Sequence, residues 1–545
     1  MSTGYFPDYI TDTSRDTLLL TGVLLATFLL GFAIRGPLYQ FGLNDHNEQL
    51  IVVYRFIDSS YLATDFVLNQ KTRPASPRYL FGFLVGTISS GLGVKLAYFV
   101  LHLLSTVGIL SSVFYLGREI FDDWIVGTAM VGTLLLPVTG DVSLGGNSLV
   151  GRYLLPSHLA DAMALLGIIC AYKRKYFWGF AILGLTSIIH ASIGSWITGI
   201  VIVAITAREY DCLDGFEGLR RKVRALIVQL PWQPLLLYVL IAFAGLYRVI
   251  ASNLDTTVSA DTVWILAYFR HPHHYVPSSW PLVEIVEYVS VVALALALYT
   301  VARRNERRLF GDRESEVFAL TFFVTAISVM GVGGFLFTEV VRLDFVVKLQ
   351  PFHIDYYPKV LAFGLLVAGI RLSIDRVVSS TVSTNAALAV LFLLSASLVG
   401  THVASHGVNG QMVVDGPTYS EESGSYEWIR ENTPEESTII TPPSIRTARL
   451  GTDRAIVADY KTFVFTPEGI AGWKDRLDAL CGTELQSFGE CEYDQLSSEE
   501  IVGISQKYGA CYLMVSSERL YEKFDLRYED EEYRVYYVSG SEACD

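Results

Sequence analysis

The stretch LFGFLVGTISSGLG, residues 80–93, decides how this chain is threaded. It is apolar, yet glycines at 82, 86, 91 and 93 interrupt it. A helix crossing about 30 Å of hydrocarbon needs about 20 apolar residues. A stretch this short therefore reads as a juxtamembrane or re-entrant helix. Were it a span, every later segment would be inverted.

Around it lie apolar runs at about 17–35, 95–116, 123–138, 156–172, 176–191, 193–207, 232–250, 282–302, 315–337, 357–372 and 384–402. Lipid cannot satisfy an open backbone, so such runs cross as helices. The expected fold class is a polytopic α-helical membrane protein with about 11 transmembrane helices and a small C-terminal extracytoplasmic α/β domain. The connections carrying Lys173-Arg174-Lys175, Arg220-Arg221-Lys222 with Arg224, Arg303-Arg304 with Arg307-Arg308, and Arg371 with Arg376 fall on one side of that count. Basic connections mark the cytoplasmic side. The N-terminus is then cytoplasmic and the C-terminal domain outside the cell membrane. The first apolar run follows an acidic segment (Asp8, Asp12, Asp16) and precedes no small-residue cleavage site, so it is expected to stay as a signal anchor.

Composition divides the chain the same way. Of 545 residues, 51% are apolar and 18% charged, below the usual quarter. The net charge of −14 is uneven: from Ala404 to the end 27 acids face 12 bases, while the remainder has 28 acids and 29 bases. Residues 1–403 read as the membrane domain, with a long first outer loop at 36–94, and 404–545 as a soluble domain. Only 11 lysines accompany 30 arginines; an acidic, lysine-poor surface suits high salt, though an ordinary extracytoplasmic domain can also be acidic. In the loop, IVVYRFIDSSYL (51–62) reads as an amphipathic helix in the interface. In the tail, 426–443 has helix, turn and strand character, 469–480 is an amphipathic helix, and 510–517 and 533–538 are strands. Cys481, Cys491, Cys511 and Cys544 permit two disulfides in an oxidising compartment, with three pairings open. No Walker loop, GxGxxG, GxSxG or HExxH occurs.

Four stretches carry candidate chemistry. FGLNDHNEQL (41–50) places Asp45 and Glu48 on one helical face with His46 between them. A carboxylate there can act as a general base toward a sugar hydroxyl, or Asp45, His46 and Glu48 can share a divalent cation such as Mg or Mn. The plainer reading is Asn44 or Asp45 capping a helix from His46. YFRHPHHYVPSSW (268–280) offers Arg270, His271, His273, His274 and Tyr275 to an anionic group, or packs its aromatics at the interface. RLDFVVKLQPFHIDYYPK (342–359) supplies Arg342, Lys348, His353 and Lys359, one of them as a phosphate contact or all as head-group anchors. GGNSLVGRYLLPSHLAD (145–161) brings Arg152, His158 and Asp161 into a helix. All ten histidines fall toward the outer side. Outer-loop length explains part of that, and a polar site opening outward explains the rest.

In this order, the acidic motif after the first helix, the long loop ending in PRYLFGFLVGTISSGLG (77–93), the turn YLGREIFDD (115–123) and the soluble tail resemble the GT-C superfamily of membrane glycosyltransferases. The resemblance covers about residues 1–200 in recognisable order and the rest by architecture. Related chains often carry adjacent Asp-Glu, where this one has Asp45-His46. The resemblance implies a hexosyltransferase drawing on a polyprenyl- or dolichyl-phosphate sugar, with mannose as the expected sugar and a glycan or glycolipid as acceptor. It implies inversion, with Asp45 as base and Glu48 beside it, phosphate held by Arg270, Arg152, Arg342 and Lys348, and substrate contacts from His46, His271, His273, His274, Tyr275 and His353. The acidic tail is similar to those of halophilic archaea, where such enzymes build S-layer N-glycans. Membrane lipid is an expected partner and nucleic acid is not. A transporter or flippase of lipid-linked saccharide, or a non-enzymatic assembly protein, is the alternative; paired broken helices in inverted repeats, which would mark a transporter, are not evident.

Overall fold

The computed structural model describes residues 39–42, 44–74, 76–135, 144–210, 231–253, 261–305, 314–377 and 424–539. The expected spans at 17–35 and 384–402, the division at 403/404, His402, His406 and Cys544 lie outside them.

The region after residue 39 folds as three helices: α1 (His46–Ile57), α2 (Phe66–Lys71) and α3 (Tyr79–Leu92). The helix expected at 51–62 starts earlier and stops at Asp58. Every residue from His46 to Val53 is buried, so α1 is an internal strut and does not lie on an interface. The glycines of α3 explain its packing. A Cβ at Gly82 would meet Val52 at 2.6 Å, and one at Gly86 would meet Phe56 at 2.7 Å. Small residues spaced by one turn let two helices approach closely. At Gly93, with φ +79°, the chain turns into the next helix.

Helices stand at nine expected spans: α4 (Val94–Phe121), α5 (Trp124–Leu135), α6 (Pro156–Tyr172), α7 (Tyr176–Ile189), α8 (Ala191–Tyr210), α9 (Trp232–Asn253), α10 (Leu282–Asn305), α11 (Glu314–Phe335) and α12 (Tyr356–Val377). Among the described residues, three segments are long and apolar enough to cross a membrane: Val94–Phe121, Leu282–Thr300 and Glu316–Val340. Asp161 of α6 is fully buried, and its carboxylate accepts hydrogen bonds from Tyr356 and Tyr357 of α12 at 2.9 Å. An acid inside an apolar bundle is tolerable only with such donors. The basic turn Lys173–Lys175 closes one end of α6, where Lys173 pairs with Glu119 at 2.7 Å. His158 lies at the other end.

The C-terminal region holds α13 (Gly424–Asn432), α14 (Pro467–Leu480), α15 (Ser498–Tyr508) and five strands. These are β1 (Thr438–Ile440), β2 (Ala455–Ile456), β3 (Ala510–Ser516), β4 (Asp525–Glu529) and β5 (Tyr533–Tyr537), in sheet order β2-β1-β3-β5-β4. The β2, β1 and β3 strands are parallel neighbours, and β5 pairs antiparallel with β3 and β4. Cys481 is bonded to Cys491; Cys511 is also disulfide-bonded, to a partner outside the described residues.

This unit does not float free. Its core around Trp473 is continuous with Val67 of α2 and with Val263, Phe269 and Tyr275. A buried ion cluster reinforces the junction. Asp65 caps α2 through the Leu68 amide and also accepts from Arg449 Nε at 2.7 Å, while Arg449 grips Asp459. All three side chains are at most 3% exposed.

Candidate functional site

Asp45 precedes the first residue of α1, but its side chain makes no capping hydrogen bond. It contacts the ammonium of Lys461, delivered by the C-terminal region. Asp45 stays 31% exposed and Lys461 18% exposed. Glu48, one turn on, is in a different position: it is buried, with Lys71 at 2.7 Å and Arg78 at 2.6 Å. Burial alone would raise the Glu48 carboxyl, but Lys71, Arg78 and Lys461 outweigh it and hold it well below the usual carboxylate range. Burial lowers Lys71 to about 8 against the pull of Glu48.

His46 is fully buried, and both ring nitrogens are engaged by backbone. Nδ1 accepts from the Gly42 N–H at 3.0 Å, which leaves the proton on Nε2, facing the Leu154 carbonyl at 3.2 Å. Desolvation lowers it to about 4. The ring braces α1 against Tyr98 and Tyr153; it has no nitrogen left for substrate or metal. Among the described residues no group of three or more His, Cys, Asp or Glu could hold a metal ion.

Arg270 arrives beside this cluster. Its guanidinium lies over Phe488 at 4.6 Å and donates to the Lys461 carbonyl at 3.4 Å, while Nε is buried without a partner. Both Glu48 and Asp45 act on it electrostatically. Arg78, 33% exposed, stacks over Phe465 at 4.9 Å. Phe465, Phe488 and Lys461 thus roof the site from the C-terminal region.

The histidines after Arg270 line its back wall. His271 Nδ1 faces the Leu266 carbonyl at 3.1 Å, and its ring meets Phe463 at 4.9 Å. His274 donates to the Gly145 carbonyl through Nδ1. The His273 ring lies 4.0 Å from that of His274 and is held at about 4 by burial and by the neighbouring cations and imidazoles. Tyr275 is buried and accepts from Gln350. The His353 ring lies 4.8 Å from that of His190, tilted against it, and His353 Nε2 and His190 Nδ1 are buried without partners.

The other expected phosphate contacts have surroundings of their own. Arg342 is taken by Asp261 at 2.5 Å and Asp344 at 2.7 Å. Lys348 ends the short helix Asp344–Lys348, whose Val347 packs into the C-terminal core. Among the described residues no contact joins Arg342 or Lys348 to Asp45. Arg152 is exposed; its carbonyl accepts from the Gln40 amide at 2.7 Å, and its neighbour Tyr153 packs on His46. Sequence reasoning missed Lys71, Arg78 and Lys461. Arg78 has a local signal, since it opens the glycine-broken helix. Lys461 has none, being 416 residues from its partner.

The model of a domain of unknown function, DUF6798, matches residues 420–480, the segment that contains Lys461. No curated relative matches the chain. Among solved structures, the chain is similar to ArnT from Cupriavidus metallidurans in the apo state, at 12% identity and a TM-score of 0.45 over 97% of this chain and 99% of that one. It is also similar to ArnT from the same organism bound to undecaprenyl phosphate, at 12% identity and 0.42 over the same shares. Similarity of this degree leaves the function to be argued from the chain's own residues.

Proposed function

We propose that this chain is a membrane glycosyltransferase of GT-C type that moves a sugar from a polyprenyl- or dolichyl-phosphate donor to a glycan or glycolipid acceptor. The reading rests on one observation: Asp45 is partly exposed in a cluster where four cations from three regions of the chain (Lys71, Arg78, Arg270, Lys461) face only two carboxylates. The second carboxylate, Glu48, is neutralised by Lys71 and Arg78. The surplus positive charge suits a lipid-linked phosphate, and the partly exposed acid suits a base.

In this mechanism Asp45 takes the proton of the acceptor hydroxyl as its oxygen attacks the anomeric carbon. The carbon–oxygen bond to phosphate breaks on the opposite face, so the anomeric centre inverts. The lipid phosphate leaves with the electron pair, and Arg270 and Lys461 meet its growing charge. The roof of Phe465 and Phe488 keeps water from competing. Mannose is the proposed sugar, and an S-layer or other N-glycan the proposed acceptor. The site faces outward, opposite the basic turns, with the N-terminus inside and residues 404–545 outside the 1–403 membrane domain.

Purified protein incubated with dolichyl-phosphate mannose and a glycolipid acceptor is expected to yield a product one hexose heavier by mass spectrometry. Donor and acceptor both recovered intact, with the lipid moved between leaflets, would replace this reading with transport.

A further inference from the structure

Lys461 poses a difficulty for the base just assigned. A carboxylate paired to an ammonium is a poor proton acceptor, yet Asp45 and Lys461 are in contact. The surroundings of Lys461 resolve it. Its backbone is fixed on every side. Asp459 is buried, gripped by Arg449, and accepts the Thr462 amide at 2.5 Å. The indole of Trp473 donates to the Asp459 carbonyl at 3.0 Å, the Tyr460 amide to Pro443 at 2.8 Å, and Arg270 to the Lys461 carbonyl. Thr462 and Phe463 are each 1% exposed. The lysine side chain projects from this anchor, 18% exposed, on a flexible four-carbon stem with three donors.

The other cations are not equivalent. Lys71 and Arg78 are committed to Glu48. Arg270 lies on Phe488 with its Nε unspent. Lys461 alone among the four is paired with the residue that must be free for the reaction.

We propose that Lys461 is an exchangeable counter-ion: it pairs with Asp45 in the empty site and passes to the phosphate of an arriving lipid-linked phosphodiester, releasing the Asp45 carboxylate for the acceptor proton. Donor binding and base activation are then one event, and the empty enzyme keeps its base masked. The same ammonium follows the charge that develops on the departing phosphate. This inference rests on the donor class proposed above.

The test uses the full chain in nanodiscs, with dolichyl phosphate as probe, and compares equilibrium binding of wild type, Asp45→Asn, Lys461→Gln and Lys461→Arg. Lys461→Gln is expected to weaken binding about tenfold, the loss of one charge-assisted contact. Asp45→Asn is expected to tighten it severalfold, because the ammonium no longer has a competing partner. Lys461→Arg keeps the charge and should restore most of the binding. Neutralising an acid beside an anion site favours the anion in any case, so the gain from Asp45→Asn is also measured with Lys461→Gln in place. The exchange requires the gain to shrink there; an equal gain with and without Lys461, or no gain at all, overturns it. Wild type that fails to bind dolichyl phosphate overturns the donor class itself. Wild type that binds, with all three single variants indistinguishable from it, removes Lys461 from the site and leaves the donor class standing.

Discussion

Asp45 and Glu48 are three residues apart, and the fold assigns them opposite circumstances. Glu48 points into a buried pair of cations, while Asp45 keeps nearly a third of its side chain in solvent. Asp45→Asn should therefore lower transfer by about two to four orders of magnitude, the scale of a lost general base, with an unchanged melting temperature. Glu48→Gln should show no such split. It strands Lys71 and Arg78, and breaking a buried ionic group costs about 3–5 kcal/mol, so the protein loses stability along with activity. Assays of turnover and thermal unfolding on both variants read the difference. His46 sets a pH dependence. Its folded pKa of about 4 lies below the ordinary imidazole value of about 6.5. The unfolded chain thus takes up the proton first, and stability present above pH 6.5 is lost as pH falls through about 4. His46→Asn should flatten that part of the stability profile, measured by unfolding across pH.

At the scale of elements, the site depends on how closely α1 lies on α3. The contacts of Val52 with Gly82 and of Phe56 with Gly86 leave no room for a side chain. Gly86→Leu should push α1 away, costing about 1–3 kcal/mol as an overpacked contact does, and should separate Asp45 from Lys461. Transfer should fall further than stability does; a variant with lower stability but full specific activity would show that this contact does not position the base. Elements also mark where local signals carried and where they did not. The helix at 469–480 and the strands at 510–517 and 533–538 were legible as patterns and appear within a few residues of those bounds. Helix α15 was missed, although Ser497 and Glu500 form a capping box that the sequence displays. Strand β4 was missed because DLRYE is only five residues long, and its alternation of Leu526 and Tyr528 with charged residues is set almost wholly in solvent at the sheet edge.

Across the whole molecule, the C-terminal region is bound to the 36–94 region by a shared core and by the Asp65–Arg449–Asp459 cluster. Arg449→Met leaves two buried carboxylates unpaired, so the junction should weaken by about 3–5 kcal/mol. The expected readouts are faster proteolytic release of the C-terminal region and loss of dolichyl phosphate binding, since Lys461 and Phe465 reach the site only through that junction. Retained binding alongside faster proteolysis would mean that the roof is dispensable.

The sequence by itself determined which segments are apolar helices, that the acidic charge belongs to the end of the chain, and that an acid, an arginine and a run of histidines stand at helix ends. These are local properties: periodicity, run length and composition belong to neighbours along the chain. Which acid stays open, which cation meets it, and that His46 is a brace were decided only by tertiary structure. Those facts depend on desolvation and on ions from residues hundreds of positions apart, and chain order carries no record of either.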